Sequence, residues 1–291
     1  MSRKIKKRIG RVCLYLMVFV IVLTVVAPFG WMVISSISTK ADLLQRPMRW
    51  FPKNPSFENY SALLFGTSSR TTDAASQFLA ALKNSCIVTF AVTAIALLVG
   101  LIAAYAFSRF RFRGRDFLLS GTLFTQMIPA VAIIIPMYTI MANLNLLDTK
   151  LSLVITYMAF VLPYLIWLLK GYIDGIPTEL DEAALIDGAS PFTRVQSFFR
   201  VILPVAGTGL AATVIFAFIL SWNEFFYAVN FTSTTAAKTL PVLITEFSSK
   251  FGSNYILTCT AGVLTSLPPV LVALIFQRYI ISGLSAGAVK G

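Results

Sequence analysis

Six long stretches without a charged residue are the feature that most constrains how this chain can fold. Each contains at least 19 residues, and together they cover residues 12–39, 84–108, 117–147, 151–169, 201–223 and 251–277. A helix of about 20 apolar residues is long enough to cross the hydrocarbon core of a bilayer. Charged residues make up only 12% of the chain, whereas a soluble domain carries about 25%. The sequence therefore predicts an all-α membrane protein with six transmembrane helices.

The positions of lysine and arginine predict how these helices are oriented. With the N-terminus in the cytoplasm, 15 of the 24 Lys and Arg residues lie in inside segments and nine in outside segments. The inside segments are 1–11, 109–116, 170–200 and 278–291, and the outside segments are 40–83, 148–150 and 224–250. Because cytoplasmic loops carry an excess of basic residues, both termini are predicted to be cytoplasmic. The run Arg109–Arg115 interleaves arginine with phenylalanine as a nucleic-acid patch does, but here it is interpreted as a topology anchor, and no nucleic-acid partner is expected.

The same topology predicts the organisation of the chain. A basic N-terminus (1–11) leads into the first span (12–39), and then come an extracytoplasmic loop (40–83), a core with spans two to six (84–277) and a cytoplasmic tail (278–291). A secretory signal peptide is the alternative for the first span. Its uncharged run has 28 residues, against roughly 7–15 in a signal core, and it lacks an A-x-A cleavage site, so an uncleaved span is favoured.

Composition excludes several kinds of active site. The chain contains no histidine, which removes histidine-based triads and histidine-containing zinc sites, and it contains no G-x-x-x-x-G-K-[ST] loop for nucleotide phosphates. Cys13, Cys86 and Cys259 lie in three separate apolar stretches, so neither a disulfide nor a metal-binding pair is predicted. We expect no catalytic residue, no metal and no cofactor in this chain.

The loop between the fourth and fifth stretches concentrates acidic residues on the side that is predicted to be basic. Five of the 12 acidic residues of the chain lie here, namely Asp174, Glu179, Asp181, Glu182 and Asp187. Thr178 followed three residues later by an acid is a capping-box pattern, which predicts a helix that ends at Gly188. Ser190 with Pro191 after it predicts the start of a second cytoplasmic coupling helix that runs to Ile202. Two interpretations are open. The first helix is either a solvated amphipathic loop or a docking surface, in which small alanines permit close approach and the carboxylates pair with arginines of a partner.

This acidic helix also carries a family motif. Glu182-Ala183-Ala184-x-x-x-Gly188, with Ile202-Leu203-Pro204 downstream, resembles the EAA loop of binding-protein-dependent ABC importer permeases. Further segments are similar to the carbohydrate branch of that family, and in particular to the second permease of maltose-type systems: Ala104–Phe110, Met127–Pro129, Ile135–Pro136, Ser221–Phe225 and Gly283–Gly291. The interval from Gly188 to Pro204 is about three residues longer than the family pattern, which is nearly one helical turn. Contacts between Ala189 and Val201 are therefore not carried over from the family.

The resemblance implies a division of labour between several chains. In such importers the loop helix docks on a cytoplasmic ATPase subunit, which binds ATP and Mg²⁺. The residues expected to couple this chain to that ATPase lie within a loop spanning 174–204, and they are Glu182, Ala183, Ala184, Asp187 and Gly188. The chain itself is then a non-catalytic permease subunit.

The resemblance also implies partners and a location. The expected partners are a second homologous permease, two ATPase subunits, an extracytoplasmic solute-binding protein, a sugar substrate and the lipid of a bacterial or archaeal cell membrane. Selectivity in this family is shared with the partner permease and the binding protein. Malto-oligosaccharides, other di- or oligosaccharides and glycerol phosphate therefore remain open as solutes.

Two further sites are predicted. The polar tail is by composition a frayed end, but the resemblance implies that Ser285, Gly287 and Lys290 contact the ATPase. Asn223 and Glu224 follow the fifth apolar stretch near the outer leaflet, where they are predicted either to border the translocation path or to be interfacial only.

Two other functional classes are weighed against the importer. A self-contained secondary carrier normally places an ionisable residue within its spans, and the six stretches contain none. A membrane scaffold without transport would leave the loop motif unexplained. Dependence on partners separates the three classes, because only the importer requires both ATP and other subunits.

Overall fold

The computed structural model of the chain describes residues 3–47, 49–66, 73–187, 198–249 and 252–288. The chain forms two compact units. One unit comprises Met1–Phe78 and Ile244–Ser266, and the other comprises Leu79–Leu243 and Leu267–Gly291.

Helices account for almost all of the described residues. In chain order they are α1 (Arg3–Ser36), α2 (Lys40–Leu44), α3 (Glu58–Phe65), α4 (Asp73–Ser76), α5 (Phe78–Arg109), α6 (Arg115–Phe124), α7 (Ala130–Asn143), α8 (Lys150–Asp174), α9 (Glu179–Asp187), α10 (Leu203–Val205), α11 (Gly207–Trp222), α12 (Phe226–Phe231), α13 (Leu240–Glu246) and α14 (Tyr255–Ala288). A 3₁₀ turn covers Thr125–Met127 and a π-helical turn covers Phe198–Ile202. Two short antiparallel strands, β1 (Ser248–Ser249) and β2 (Gly252–Ser253), precede α14.

Four of the described helices are long and apolar enough to cross a bilayer. They cover Lys7–Ser36, Phe78–Arg109, Lys150–Asp174 and Tyr255–Tyr279. Two further pairs pass the same test together but are bent, namely Arg115–Met127 with Ala130–Asn143 at 98° and Phe198–Val205 with Gly207–Trp222 at 73°. By length and composition the described chain therefore has four spans, or up to six if each bent pair is one span. Each of the six apolar stretches falls on one of these segments.

Proline accounts for the sharper of the two bends. Pro129 has an extended backbone (φ −64°, ψ 134°), so the helical path stops before it and α7 begins at Ala130. The residue that precedes a proline is also driven out of the helical region, which matches the extended backbone of Ile128. Five other prolines of the apolar stretches lie inside continuous helices, at Pro28, Pro136, Pro163, Pro268 and Pro269, whereas Pro204 lies at the start of α10.

The first unit is held together where α1 meets the start of α14. A Cβ atom on Gly262 would lie 2.8 Å from Met32 Sδ, so the two helices approach closely at this glycine, and a larger residue there would require the methionine side chain to shift. The Thr260 hydroxyl donates to the Ser36 carbonyl oxygen at 3.3 Å. The Ser36 hydroxyl in turn lies 2.7 Å from the hydroxyl of Tyr60, which ties α3 to the same point.

The second unit is built around α8. Tyr157, Leu165 and Leu169 are fully buried along this helix, and they belong to one continuous apolar core. α5 approaches α8 at Gly100, where an added Cβ would lie 3.4 Å from the Leu165 Cβ. α11 packs against α8 even more closely at Gly209. There a Cβ would lie 2.3 Å from Cγ of Tyr172.

We expect Gly209→Ala to lower the thermal stability of the protein. The clash involves Cβ and Cγ of Tyr172, which cannot move without the α8 backbone, and overpacking of this kind costs about 1–3 kcal/mol. Gly207→Ala is the matched control, because it lies on the same helix and has no atom within 4 Å of an added Cβ. Alanine favours helix by about 1 kcal/mol over glycine, so the control should be at least as stable as the unaltered protein. Thermal unfolding in detergent, followed by tryptophan fluorescence, measures both. Equal midpoints for the two variants would contradict the close contact.

Candidate functional site

The candidate site lies where α5 and α8 end and α9 begins. α8 ends at Asp174, and the amide of Ile176 turns the chain by donating to the Ile173 carbonyl oxygen at 3.0 Å. The Thr178 carbonyl oxygen then accepts hydrogen bonds from the amides of Asp181 and Glu182, at 3.0 and 3.1 Å. α9 therefore begins directly after Thr178, as the sequence pattern predicts.

A largely buried ion pair fixes α9 to α5. Arg109 is the last residue of α5, and its Nε lies 2.7 Å from Oδ2 of Asp181. The side chains are only 10% and 13% exposed. The other carboxylate oxygen of Asp181 accepts a hydrogen bond from the Tyr105 hydroxyl at 3.3 Å. Removing one partner of a buried pair leaves an uncompensated charge, which typically costs about 3–5 kcal/mol.

The same end of α5 also holds the chain that leads into α9. Nη2 of Arg109 donates to the carbonyl oxygen of Ile176 at 2.8 Å. The neighbouring Ser108 hydroxyl donates to Oδ1 of Asp174 at 2.6 Å, and Lys170 Nζ lies 2.5 Å from Oδ2 of the same residue. Two adjacent residues of α5 therefore bind the last residue of α8, the turn after it and α9.

Aromatic rings extend this contact to the C-terminal part of the loop, at the π-helical turn Phe198–Ile202. Phe198 is buried, and its ring centroid lies 4.8 Å from that of Tyr105. Tyr105 also packs edge-on against Phe110, with the ring centroids 6.0 Å apart. The last turn of α5 therefore contacts both described parts of the loop, the part that contains Asp174 and Asp181 and the turn that begins at Phe198.

The acidic residues of the loop have different environments. Asp181 is largely buried against α5. Asp174 is exposed but accepts hydrogen bonds from Ser108 and Lys170. Glu179 and Glu182 are exposed at the start of α9. Ala183 is exposed beside them. The sequence places all these acids in one loop but does not predict a partner for Arg109, because the number of charges in a segment does not show which side chains pair. A weak signal was available, since Arg109 directly ends an apolar stretch.

The remaining residues of the predicted coupling set are only partly described. Ala184 and Asp187 lie within α9, and their side chains fall outside the described part of the structure. Gly188 lies outside the described residues. Of the predicted tail contacts, Ser285 and Gly287 lie in the backbone of α14, and Lys290 is outside the described residues.

The two residues predicted near the translocation path lie at the end of α11. The Glu224 carboxylate accepts hydrogen bonds from the amides of Tyr227 and Ala228, at 2.8 and 3.2 Å, so it caps the start of α12. Asn223 is exposed, and its side chain donates to the Ile219 carbonyl oxygen at 3.0 Å. Glu224 thus has a structural contact, and a role for either residue in the path stays a prediction.

A second polar cluster lies at the opposite end of α8. The Asp148 carboxylate accepts hydrogen bonds from the amides of Ser233 and Thr234, at 2.8 and 3.0 Å, and from the Thr234 hydroxyl at 2.6 Å. Burial acts to raise the pKa of Asp148, but the bonds from Thr234 and Ser233 outweigh it, so the pKa lies below the usual value of 3.8. Lys150 Nζ, at the start of α8, donates to the Ala236 carbonyl oxygen at 2.6 Å. This cluster fixes the loop between α12 and α13.

Among the described residues, no three histidine, cysteine or carboxylate side chains lie close enough to hold a metal ion. The geometry of the candidate site is that of an anchored helix with an exposed acidic face.

Comparison with known proteins identifies the class of this membrane protein. Residues 96–285 match the family described as the inner membrane component of binding-protein-dependent transport systems, and the chain belongs to that family. It is 33% identical to the diacetylchitobiose uptake system permease protein DasC of Streptomyces coelicolor, over 97% of this chain and 98% of that protein. It is 34% identical to the trehalose/maltose transport system permease protein MalG of Thermococcus litoralis, over 91% of each chain.

A solved structure shares the fold. A chain of a bacterial ABC transporter involved in the import of the acidic polysaccharide alginate superposes with a TM-score of 0.77, at 24% identity, over 96% of this chain and 98% of that one. The protein is thus a multi-pass membrane protein and a permease subunit of an ABC transport system. The family resemblance that the loop motif predicted is confirmed.

We expect the stabilisation contributed by Asp148 to depend on pH. Because the folded pKa is lowered, the contribution is complete above the unfolded pKa of about 3.8 and is lost as the pH falls through the folded value. Asp148→Asn should therefore melt at a lower temperature than the unaltered protein at about pH 7, and this difference should narrow below about pH 4. Asp116→Asn is the control, because the Asp116 side chain is 94% exposed. A difference that stays constant with pH would contradict the assignment.

Proposed function

We propose that this chain, together with a second homologous permease, forms the membrane path by which a sugar or oligosaccharide is imported, and that α9 couples the path to a cytoplasmic ATPase. The observation that carries this proposal is the environment of the acidic residues. Asp181 holds α9 in a defined position on α5, while Glu182 and Ala183 remain exposed for a partner. The names of the relatives, which include diacetylchitobiose and trehalose/maltose permeases, support a sugar as the solute.

The proposed topology has six spans and two cytoplasmic termini. Each bent pair of helices then counts as one span, and the excess of basic residues in segments 1–11 and 109–116 supports their cytoplasmic location. α9 lies in the loop after α8 and is therefore cytoplasmic as well. Because relatives occur in both Streptomyces and Thermococcus, the proposed location is the cell membrane of a bacterium or an archaeon.

The proposed complex contains other chains that hydrolyse ATP and deliver the solute. The sequence has no phosphate-binding loop, so two partner ATPase subunits bind ATP with Mg²⁺ and hydrolyse the ATP. An exposed acidic helix suits a basic cleft on those subunits. An extracytoplasmic solute-binding protein delivers the sugar. This is supported by a similar solved structure in which an alginate transporter is bound to a periplasmic protein carrying an alginate pentasaccharide.

Partner recovery tests the proposal directly. The chain is tagged at the N-terminus, purified from native membranes in mild detergent, and every co-purifying chain is identified by mass spectrometry. The proposal requires an ATPase with a phosphate-binding loop and a second permease. Recovery of this chain alone, from membranes where it is abundant and folded, would overturn it and favour a secondary carrier or a scaffold. Uptake driven by an ion gradient without ATP would then identify the carrier.

Glu182→Lys should leave the protein in the membrane and abolish coupling between ATP hydrolysis and transport. Reversing a charge at an interface costs about 2–5 kcal/mol when its partner is desolvated, so ATP-dependent uptake should fall at least about tenfold. Asp116→Lys is the matched control, since it also reverses an exposed carboxylate in the first turn of a helix, here α6. Uptake of radiolabelled sugar into proteoliposomes measures both variants. Normal uptake by Glu182→Lys would show that the docking assignment is wrong.

Deleting residues 285–291 tests the proposed tail contact. If Ser285, Gly287 and Lys290 reach the ATPase, the deletion should lower the ATP hydrolysis rate of the assembled complex without reducing its yield. The triple alanine variant Ser285→Ala, Gly287→Ala and Lys290→Ala keeps the chain length and should lower the rate as well. An unchanged hydrolysis rate would show that the tail is a frayed end that makes no functional contact with the ATPase.

A further inference from the structure

Chain connectivity alone joins α9 to only two of the long helices. α8 leads into the acidic loop, and the bent pair of Phe198–Val205 and Gly207–Trp222 follows it. α5 is distant in sequence, with 67 positions separating Arg109 from Ile176. α5 is therefore tied to α9 by tertiary contacts and not by the chain itself.

We propose that the Arg109–Asp181 ion pair is a clasp through which displacement of α9 is passed to α5, so that α5 moves with the coupling loop during transport. The inference rests on the proposed function, because it is the docked ATPase that displaces α9. Asp181 and Arg109 are positioning residues in this proposal, and neither contacts the solute.

The geometry of the clasp suits the transfer of movement. The guanidinium group of Arg109 is a rigid planar fork, and it binds two successive elements at once. Its Nε pairs with Asp181 in α9, and its Nη2 donates to the carbonyl oxygen of Ile176 in the preceding turn. Little water reaches either charged group, since both side chains are nearly buried. The second oxygen of Asp181 is bound by Tyr105, one helical turn back along α5.

Arg109 has a different environment from the other three arginines of its run. A topology anchor requires only positive charge, so every arginine of the run would serve equally. Arg111 and Arg113 are exposed, and Arg115 lies 3.9 Å from an exposed aspartate. Among these four, the structure places Arg109 on an acidic residue of α9.

The other end of α5 shows where a displacement would arrive. This helix has 32 residues, which corresponds to a length of about 48 Å. Near its start, Asn84 Nδ2 donates to the carbonyl oxygens of Thr235 and Lys238 at 2.9 and 3.0 Å. The Ser85 hydroxyl accepts from the Leu240 amide at 2.8 Å. One continuous helix thus binds α9 at one end and the loop before α13 at the other.

The test uses the complete transporter, purified with its ATPase and second permease and reconstituted into liposomes. The variants are Asp181→Asn, Arg109→Gln and the exchanged pair R109D/D181R, with Arg111→Gln as the matched control from the same run. Complex yield, ATP hydrolysis and uptake of radiolabelled maltose, trehalose and diacetylchitobiose are measured. We expect Asp181→Asn and Arg109→Gln to assemble and hydrolyse ATP, but to lower uptake per ATP at least about fivefold. The exchanged pair should recover part of this loss, and Arg111→Gln should match the unaltered complex.

The outcomes separate failure of the clasp from failure of the proposed function. If Asp181→Asn transports as much sugar per ATP as Arg111→Gln, the clasp is overturned and the importer stands. If the unaltered chain recovers no ATPase and shows no ATP-dependent uptake, the proposed function itself fails. If uptake per ATP is unchanged and only the complex yield falls, Asp181 has a purely structural role and the clasp is again overturned.

A distance measurement tests the clasp without breaking it. Spin labels are attached at the exposed Ile102 of α5 and the exposed Glu179 of α9, after the native cysteines have been replaced. The distance between the labels should be the same in the nucleotide-free complex and in the complex trapped with ATP and vanadate. A change of more than about 5 Å, roughly one helical turn, would show that α5 does not move with α9 and would overturn the proposal.

Discussion

A bilayer offers no hydrogen-bond partner to a polypeptide backbone, and most of this architecture depends on that constraint. Each apolar stretch satisfies its amides and carbonyl oxygens internally as helix, and polar side chains that need partners are concentrated at the helix ends. α8 illustrates the result. Its middle is lined by buried residues such as Tyr157 and Leu165, whereas Lys150 and Asp174, its first and last residues, bind groups from other segments.

The two ends of α8 use carboxylates in the same way. At one end the Asp148 carboxylate accepts hydrogen bonds from two amides and a hydroxyl of the loop after α12. At the other end Asp174 and Asp181 bind two hydroxyls, a lysine and an arginine from α5 and α8. A charge that is removed from water is costly unless it is paired and hydrogen-bonded, which applies most to the largely buried Asp181. Each of the three carboxylates contacts the segment that supplies its donors. The loops of the second unit are held by these pairs, while its middle is held by packing at Gly100 and Gly209.

Sequence analysis predicted the helices of this protein better than their contacts. All six apolar stretches lie on helices, because length and hydropathy are properties of a continuous segment. Prolines within an apolar stretch predict a kinked helix, but they do not predict the position or the angle of the 98° bend. Residues 117–147 contain both Pro129 and Pro136, and only the backbone shows that the helix breaks at Pro129 and continues through Pro136. The site was predicted in the same partial way. The motif led to Glu182 and Ala183, but the pairing of Arg109 with Asp181 depends on how distant segments pack, and four similar arginines occur in one short run.

The pairing that sequence could not reveal is what gives α9 a defined orientation. A helix of nine residues is too short to be stable alone in water, so its position must come from tertiary contacts. Successive residues of a helix are rotated by about 100°, which places Glu179 and Glu182 on one face and turns Asp181 away from them. One face of α9 is thereby bound to α5, and another is left acidic and exposed. An unanchored helix would absorb a partner's movement by reorienting locally, so the bound carboxylate is a precondition for any coupling through the free ones.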